Sequence, residues 1–148
     1  MQKKIRFIFS GICFMSALFT TSCNEWYNHP LGNNFSLWDG DGDEDRIIVY
    51  CEGRCHGGIQ VVPTRERQAN NGEYVEAATS NNKWIIVKTL QMKDSKENYY
   101  FVDKYFRIKN LDCLKANCDS ILQSYVMGPF DENMFKERKL ELGIDLDF

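Results

Sequence analysis

Histidine is scarce in this chain: 148 residues include only two, His29 and His56. Imidazole is the side chain that most readily moves protons near neutral pH, so nucleophile–base chemistry has little to draw on. His56 follows Cys55 directly, but adjacent side chains on extended backbone point to opposite sides, and the pair does not make a nucleophile with its base. A phosphate-cradling loop is also missing, because Gly53, Gly57 and Gly58 lack the strand-to-helix setting that such a loop needs. No excess of basic residues exists either: 18 Lys and Arg stand against 21 Asp and Glu. Nucleic acid, which demands clustered cations, is therefore not an expected partner. A long apolar run is lacking as well. The uncharged stretch Phe7 to Phe19 falls short of the roughly 20 residues that a spanning helix requires. No cofactor and no enzymatic activity are expected, and paired carboxylates are the one catalytic chemistry that the inventory leaves open, as in a small envelope hydrolase.

What is present begins at the N-terminus. Lys3, Lys4 and Arg6 precede the apolar stretch, the layout of a secretory signal peptide. The stretch breaks into Thr20-Thr21-Ser22-Cys23, and small residues just before a cysteine resemble the lipobox of bacterial lipoproteins. That resemblance implies a diacylglyceryl group on the Cys23 sulfur and cleavage that leaves Cys23 first. Thr20 stands where the usual pattern has leucine. Several acyl chains together make such attachment effectively stable. The expected address is the cell envelope, on a bacterial membrane, the outer membrane foremost, facing the periplasm or the exterior. Loss of residues 1–22 leaves 15 basic and 21 acidic residues, a net charge of −6.

The mature chain is one domain by length. Residues 23–34 read as a tether, polar and carrying Pro30 and Gly32, and 35–148 as the folded unit. Strands are expected at Arg46 to Cys51, Gly58 to Pro63, Lys83 to Leu90, Asn98 to Asp103 and Tyr105 to Ile108, rich in β-branched and aromatic residues. Asn70-Asn71-Gly72, Ser80-Asn81-Asn82 and Lys93 to Asn98 are the separating turns. The period then changes: Leu111, Leu114, Cys118, Ile121, Leu122 and Tyr125 share a helical stripe. A second helix is expected after Gly128-Pro129, with Asp131 as cap, Phe130 and Phe135 as the flanking staple, and Gly143 to close it. The predicted fold class is α+β, an antiparallel meander of five to six strands with two C-terminal helices.

As a set, Leu31-Gly32-Asn33-Asn34-Phe35, Arg46-Ile47-Ile48-Val49-Tyr50-Cys51, Trp84-Ile85-Ile86-Val87-Lys88 and Tyr99-Tyr100-Phe101-Val102-Asp103-Lys104, with Gly128-Pro129-Phe130 and the stretch from Phe135 to Ile144, resemble a family of small lipoproteins of Bacteroides-type bacteria built on a domain of unknown function. The resemblance covers nearly the whole mature chain. It implies lipidation at Cys23 and a fold, and it carries no activity and no functional residue.

Beyond Cys13 and Cys23, four cysteines remain: Cys51, Cys55, Cys113 and Cys118. An even four in an oxidising compartment reads as two disulfides with three pairings open. A continuous helix over 113–118 would hold those two Cα atoms roughly 8 Å apart at ~1.5 Å rise per residue, beyond the ~7 Å limit for a bridge. Either the helix starts only near Asn117, or the bonds cross to Cys51 and Cys55. The turn-like Cys51-Glu52-Gly53-Arg54-Cys55 favours local pairs. Zinc on Cys51, Cys55, His56 and Cys113 or Cys118 is the rival reading.

Asp39, Asp41, Asp43, Glu44 and Asp45 form an acidic loop that opens like a calcium loop. It then departs from one, with Glu44 where glycine is needed and Tyr50 where a bidentate Glu belongs. No metal is assigned, and these five acids are instead candidates for contact with a basic protein partner. Ile144, Leu146 and Phe148 alternate with Asp145 and Asp147, a short strand pattern expected to pair with the chain's own sheet. Tyr99 and Phe101 face one side of their strand and Tyr100 and Val102 the other, so one aromatic set is either covered by a second layer or exposed for recognition. The function expected is that of a lipid-anchored binding or structural domain, for instance of inhibitor or immunity type. A carbohydrate-handling accessory lipoprotein is the alternative.

Overall fold

The computed structural model describes residues 28–52, 58–107, 111–113 and 115–148. Among these residues, eight strands form two antiparallel sheets, and within each sheet every strand pairs with its neighbour in sequence. Sheet A runs β1 (Asn28–Gly32), β2 (Phe35–Trp38), β3 (Ile47–Tyr50) and β4 (Ile59–Val62). Sheet B runs β5 (Glu73–Ser80), β6 (Trp84–Gln91), β7 (Glu97–Asp103) and β8 (Val126–Phe130). Helix α1 (Arg65–Asn71) joins the two sheets, α2 (Cys118–Gln123) precedes β8, and α3 (Glu132–Glu141) follows it. The α+β class and the two C-terminal helices agree with expectation. The meander is larger than expected, eight strands in two layers rather than five to six.

Alternation explains the layering. Leu31, Phe35, Leu37, Ile48, Tyr50, Val61 and Val62 of sheet A meet Val75, Ile85, Val87, Tyr100 and Val102 of sheet B in one buried cluster, closed by Phe106 and Leu122. Within it, Tyr50 stands edge-on to both Phe35 and Phe106, at 5.0 and 4.8 Å between ring centroids. The opposite face of sheet B, with Trp84, Ile86, Tyr99 and Phe101, is covered by Phe135 of α3 and by Ile144. Phe135 stacks on Tyr99 and Phe101 at 4.9 and 4.7 Å. Both aromatic sets of β7 are therefore covered, and the recognition face that one of them would have offered is occupied by α3.

Hydrogen bonds at the margins join the sheets to each other and α2 to sheet A. The Val75 amide donates to Arg46 O at 2.8 Å, Ser80 Oγ donates to Leu31 O at 2.9 Å, and Gln123 Nε2 of α2 donates to Val61 O at 3.0 Å. These contacts and the strand registers give the sandwich two distinct ends. Asn28, Trp38, Ile47, Glu73, Gln91 and Glu97 lie at one; Gly32, Phe35, Tyr50, Ser80, Trp84 and Asp103 lie at the other.

Several expectations are corrected. Asn28 to Gly32, read as part of a tether, is strand β1, paired with β2 from Asn28↔Trp38 to Gly32↔Phe35. The turn between them needs left-handed backbone at Gly32, Asn33 and Asn34, with φ of 82°, 53° and 68°; glycine and asparagine adopt that region most readily. Tyr105 to Arg107 are not a strand, because the Asp103 carboxylate accepts the Tyr105 amide at 2.9 Å and turns the chain; Ile108 lies outside the described residues. The helical stripe from Leu111 becomes helix only at Cys118, where Asn117 Oδ1 accepts the Ser120 amide, and Leu114 lies outside the described residues. The C-terminal stretch pairs with no strand. Ile144 and Leu146 instead pack onto the outer face of sheet B.

Candidate functional site

The acidic loop occupies the β2–β3 connection. Asp43–Asp45 form a single 3-10 turn packed on β5, while Asp41, Asp43, Glu44 and Asp45 are exposed. Asp39 is set apart from the others. Its carboxylate takes Arg46 Nε at 2.9 Å and lies 3.0 Å from His29 Nε2, and the same arginine donates to Glu76 O at 3.1 Å. Asp39 therefore ties β1, β2 and β3 together, and the other four acids form no ion pair among the described residues. Among the described residues no three acidic, histidine or cysteine side chains converge as a cation would require.

One of the two local pairings is present. Cys113 and Cys118 form a disulfide with Cα atoms 5.4 Å apart, the pairing that a helix starting at Asn117 permits. Cys51 is also disulfide-bonded, while Cys55, His56 and Cys23 lie outside the described residues. A sulfur in a disulfide is not a thiolate, so the zinc reading loses Cys51, Cys113 and Cys118 as ligands. Beside the Cys113–Cys118 bridge lies a depression of about 580 Å³ lined by Ile59, Lys115, Ala116, Asn117 and Asp119.

A polar cluster that sequence reasoning missed sits inside the sandwich. Glu73 is fully buried at the start of β5. Its Oε2 accepts Arg67 Nε at 2.5 Å; its Oε1 accepts Thr89 Oγ1 at 2.5 Å, Tyr100 OH at 2.8 Å and Asn98 Nδ2 at 3.4 Å. Burial, then the bond to Glu73, raises the Tyr100 phenol well above its ordinary range. Burial pulls the Arg67 guanidinium down, but Glu73 and Tyr100 together outweigh it and leave the group above its usual value. With four donors on two oxygens, Glu73 is satisfied within the fold, and the cluster seats α1 on sheet B. One signal could have found it. Thr89, Asn98 and Glu73 occupy inward positions on three adjacent strands, where the alternation calls for apolar side chains.

Two further charged groups are distinct in kind. Lys88 bonds both Glu76 and Glu97 at 2.8 Å, which raises the amine and lowers the Glu97 carboxyl. Burial and a bond to Glu97 push the neighbouring Tyr99 phenol up to about 12. Lys104, only 4% exposed, has no carboxylate partner among the described residues and donates to Leu31 O and Asn81 O, both at 2.5 Å. Burial lowers its amine. It pins the β1–β2 turn to the β5–β6 turn at the end of the sandwich opposite the acidic loop.

Compared with family models, curated proteins and solved structures, the chain matches none of them. No helix among the described residues is long and apolar enough to cross a membrane.

Proposed function

We propose that this chain is a lipid-anchored domain of the bacterial envelope, held by lipid on Cys23, which binds a basic protein partner through the loop from Asp39 to Asp45. The observation that supports this reading is the contrast within that loop. Asp39 is used up in holding three strands in place, whereas Asp41, Asp43, Glu44 and Asp45 stand exposed with no ion-pair partner among the described residues. A rigid sandwich carrying uncompensated charge on a short, packed connection offers a preorganised surface, and such charge mainly accelerates encounter with an oppositely charged protein. The charges of Glu73 and Lys88 are paired within the fold, unlike those of Asp41, Asp43, Glu44 and Asp45.

The test is capture of envelope and secreted proteins on the soluble domain, repeated with Asp41, Asp43, Glu44 and Asp45 changed to Asn or Gln. Asp39 is left intact because its removal would disturb the strands. A captured partner should associate at least several-fold more slowly with the amide version at low salt, and the difference should shrink as salt rises. Equal on-rates for both versions would remove the loop from the mechanism.

A further inference from the structure

The two sulfurs of the Cys113–Cys118 bridge stand in different surroundings. Cys113 is exposed, whereas Cys118, the first residue of α2, is only 5% exposed. Both border the depression of about 580 Å³ that Lys115, Asn117 and Asp119 line together with Ile59 of β4. In thiol–disulfide exchange the incoming thiolate approaches along the S–S axis, from the side opposite to the sulfur that leaves, so access decides which sulfur is attacked. For Cys113 that approach comes from solvent beside the depression. The enclosure of Cys118 leaves almost no surface for the corresponding approach to its own sulfur.

The fold does not depend on this bond to keep its neighbours in place. Helix α2 is held by fully buried Leu122 and by Gln123 Nε2, which donates to Val61 O at 3.0 Å. Ahead of the helix, Asp112 O accepts the Lys115 and Ala116 amides at 2.9 and 2.7 Å, and Asn117 Oδ1 caps the first turn through the Ser120 amide at 3.1 Å. None of these contacts passes through the S–S bond, so the bridge can open while the sheets and α2 stay folded.

We infer that Cys113–Cys118 is an exchangeable disulfide, in which exposed Cys113 takes an incoming small thiol and buried Cys118 is the sulfur that leaves and returns. The small thiol's sulfur bonds to Cys113 Sγ as the bond between the two cysteines breaks. The electron pair goes to Cys118 Sγ, which takes up a proton in place of the one the attacking thiol gave up. Cys118 can then attack Cys113 again and expel the small thiol. Alternatively, a second molecule of the small thiol attacks the first and releases Cys113 as a thiol. On that second route the bridge has gained two electrons and two protons, and the two small molecules depart as their own disulfide. The opened state pairs an accessible thiol with one that outside reagents reach poorly, because a buried cysteine behaves as a small apolar side chain. Cys113 is thus a site of reversible S-thiolation, and the depression beside it has room for the body of the thiol compound.

The experiment exposes the purified full-length protein, oxidised and without denaturant, to β-mercaptoethanol. Acid quenching and peptide mass spectrometry then locate the adducts, while circular dichroism records the fold. The expected result is several-fold more adduct on Cys113 than on Cys118, with the spectrum of the folded protein unchanged. Adducts on Cys118 at equal or higher frequency would overturn the assignment of roles. A bridge that stays closed until the spectrum is lost would overturn the exchange itself. Since Cys118 can expel an adduct before the quench, two variants supply a second reading: Cys118→Ser leaves Cys113 as a thiol, and Cys113→Ser leaves Cys118. Followed by the same mapping at those two positions, the Cys113 thiol should react with an aromatic disulfide reagent several-fold faster than the Cys118 thiol. Equal rates, or the reverse order, in folded variants would count against the proposal as decisively as misplaced adducts.

Discussion

Glu73 shows how much a single enclosed charge can depend on its neighbours. Its carboxylate is 0% exposed and is held by Arg67, Thr89, Asn98 and Tyr100. Removing one partner of a buried ion pair leaves the other charge uncompensated, at a typical cost of 3–5 kcal/mol. Glu73→Ala should therefore lower unfolding free energy by about that amount, with Glu73→Gln losing less because the amide still fills the space. Urea unfolding followed by circular dichroism measures both, and a loss under ~1 kcal/mol for the alanine variant would show that the cluster is not coupled to folding. The residues of this cluster were hard to recognise because each looks ordinary alone. Glu73 follows a turn-forming glycine, and Thr89 and Asn98 read as solvent-facing until the register of β5, β6 and β7 turns all three inward. Lys104 was overlooked for a similar reason, since a lysine after a strand suggests surface, not a buried link between two turns.

Helix α3 is the element that sequence described best, and its ends explain why. Asp131 accepts the Met134 amide at 2.9 Å, Glu132 sits in the first turn, and Gly143 at φ +61° lets the Ile144 amide reach Lys139 O at 3.0 Å. Each is a local signal, written within a few residues. Asp131→Ala should cost roughly 1 kcal/mol through the lost cap. Phe135→Ala should cost about 3–5 kcal/mol, because it empties the space above Tyr99 and Phe101. Thermal melts of the two variants give the order, and a larger loss for the cap than for the ring would mean that α3 is not seated on sheet B as described. The elements that escaped notice lack such signals. Helix α1 has a Thr64 cap and a left-handed Gly72 but no buried residue, so it shows no apolar stripe. Strand β5 has a bulge between Val75 and Ala77 that breaks its alternation. In β8, Gly128-Pro129 reads as a breaker although the strand continues through it at the sheet edge, where proline is tolerated.

Across the whole molecule, two sheets supply their own core, so the disulfides are additions to a fold that hydrophobic packing already defines. The Cys113–Cys118 bridge closes a loop with a sequence separation of 5, for which chain entropy gives about 2 kcal/mol. Replacing both cysteines with serine should lower stability by no more than roughly that amount and leave the far-ultraviolet spectrum unchanged; collapse of the sheets would show that the bridge organises more than its own loop. The class and the late helices were visible from periodicity alone, while the division into two sheets was not, because nothing local in β4 or β5 marks the point where a meander stops pairing and starts a second layer. That division has a consequence for delivery. Sheet A is complete by Val62, and sheet B starts only at Glu73. On the proposed route of export, N-terminus first, Phe35, Leu37, Ile48, Tyr50 and Val61 would meet water while Val75, Ile85, Val87, Tyr100 and Val102 are still on the other side. Until that second half emerged the first would be a sticky sheet without a lid, and a holding chaperone at the exit would have a surface to cover.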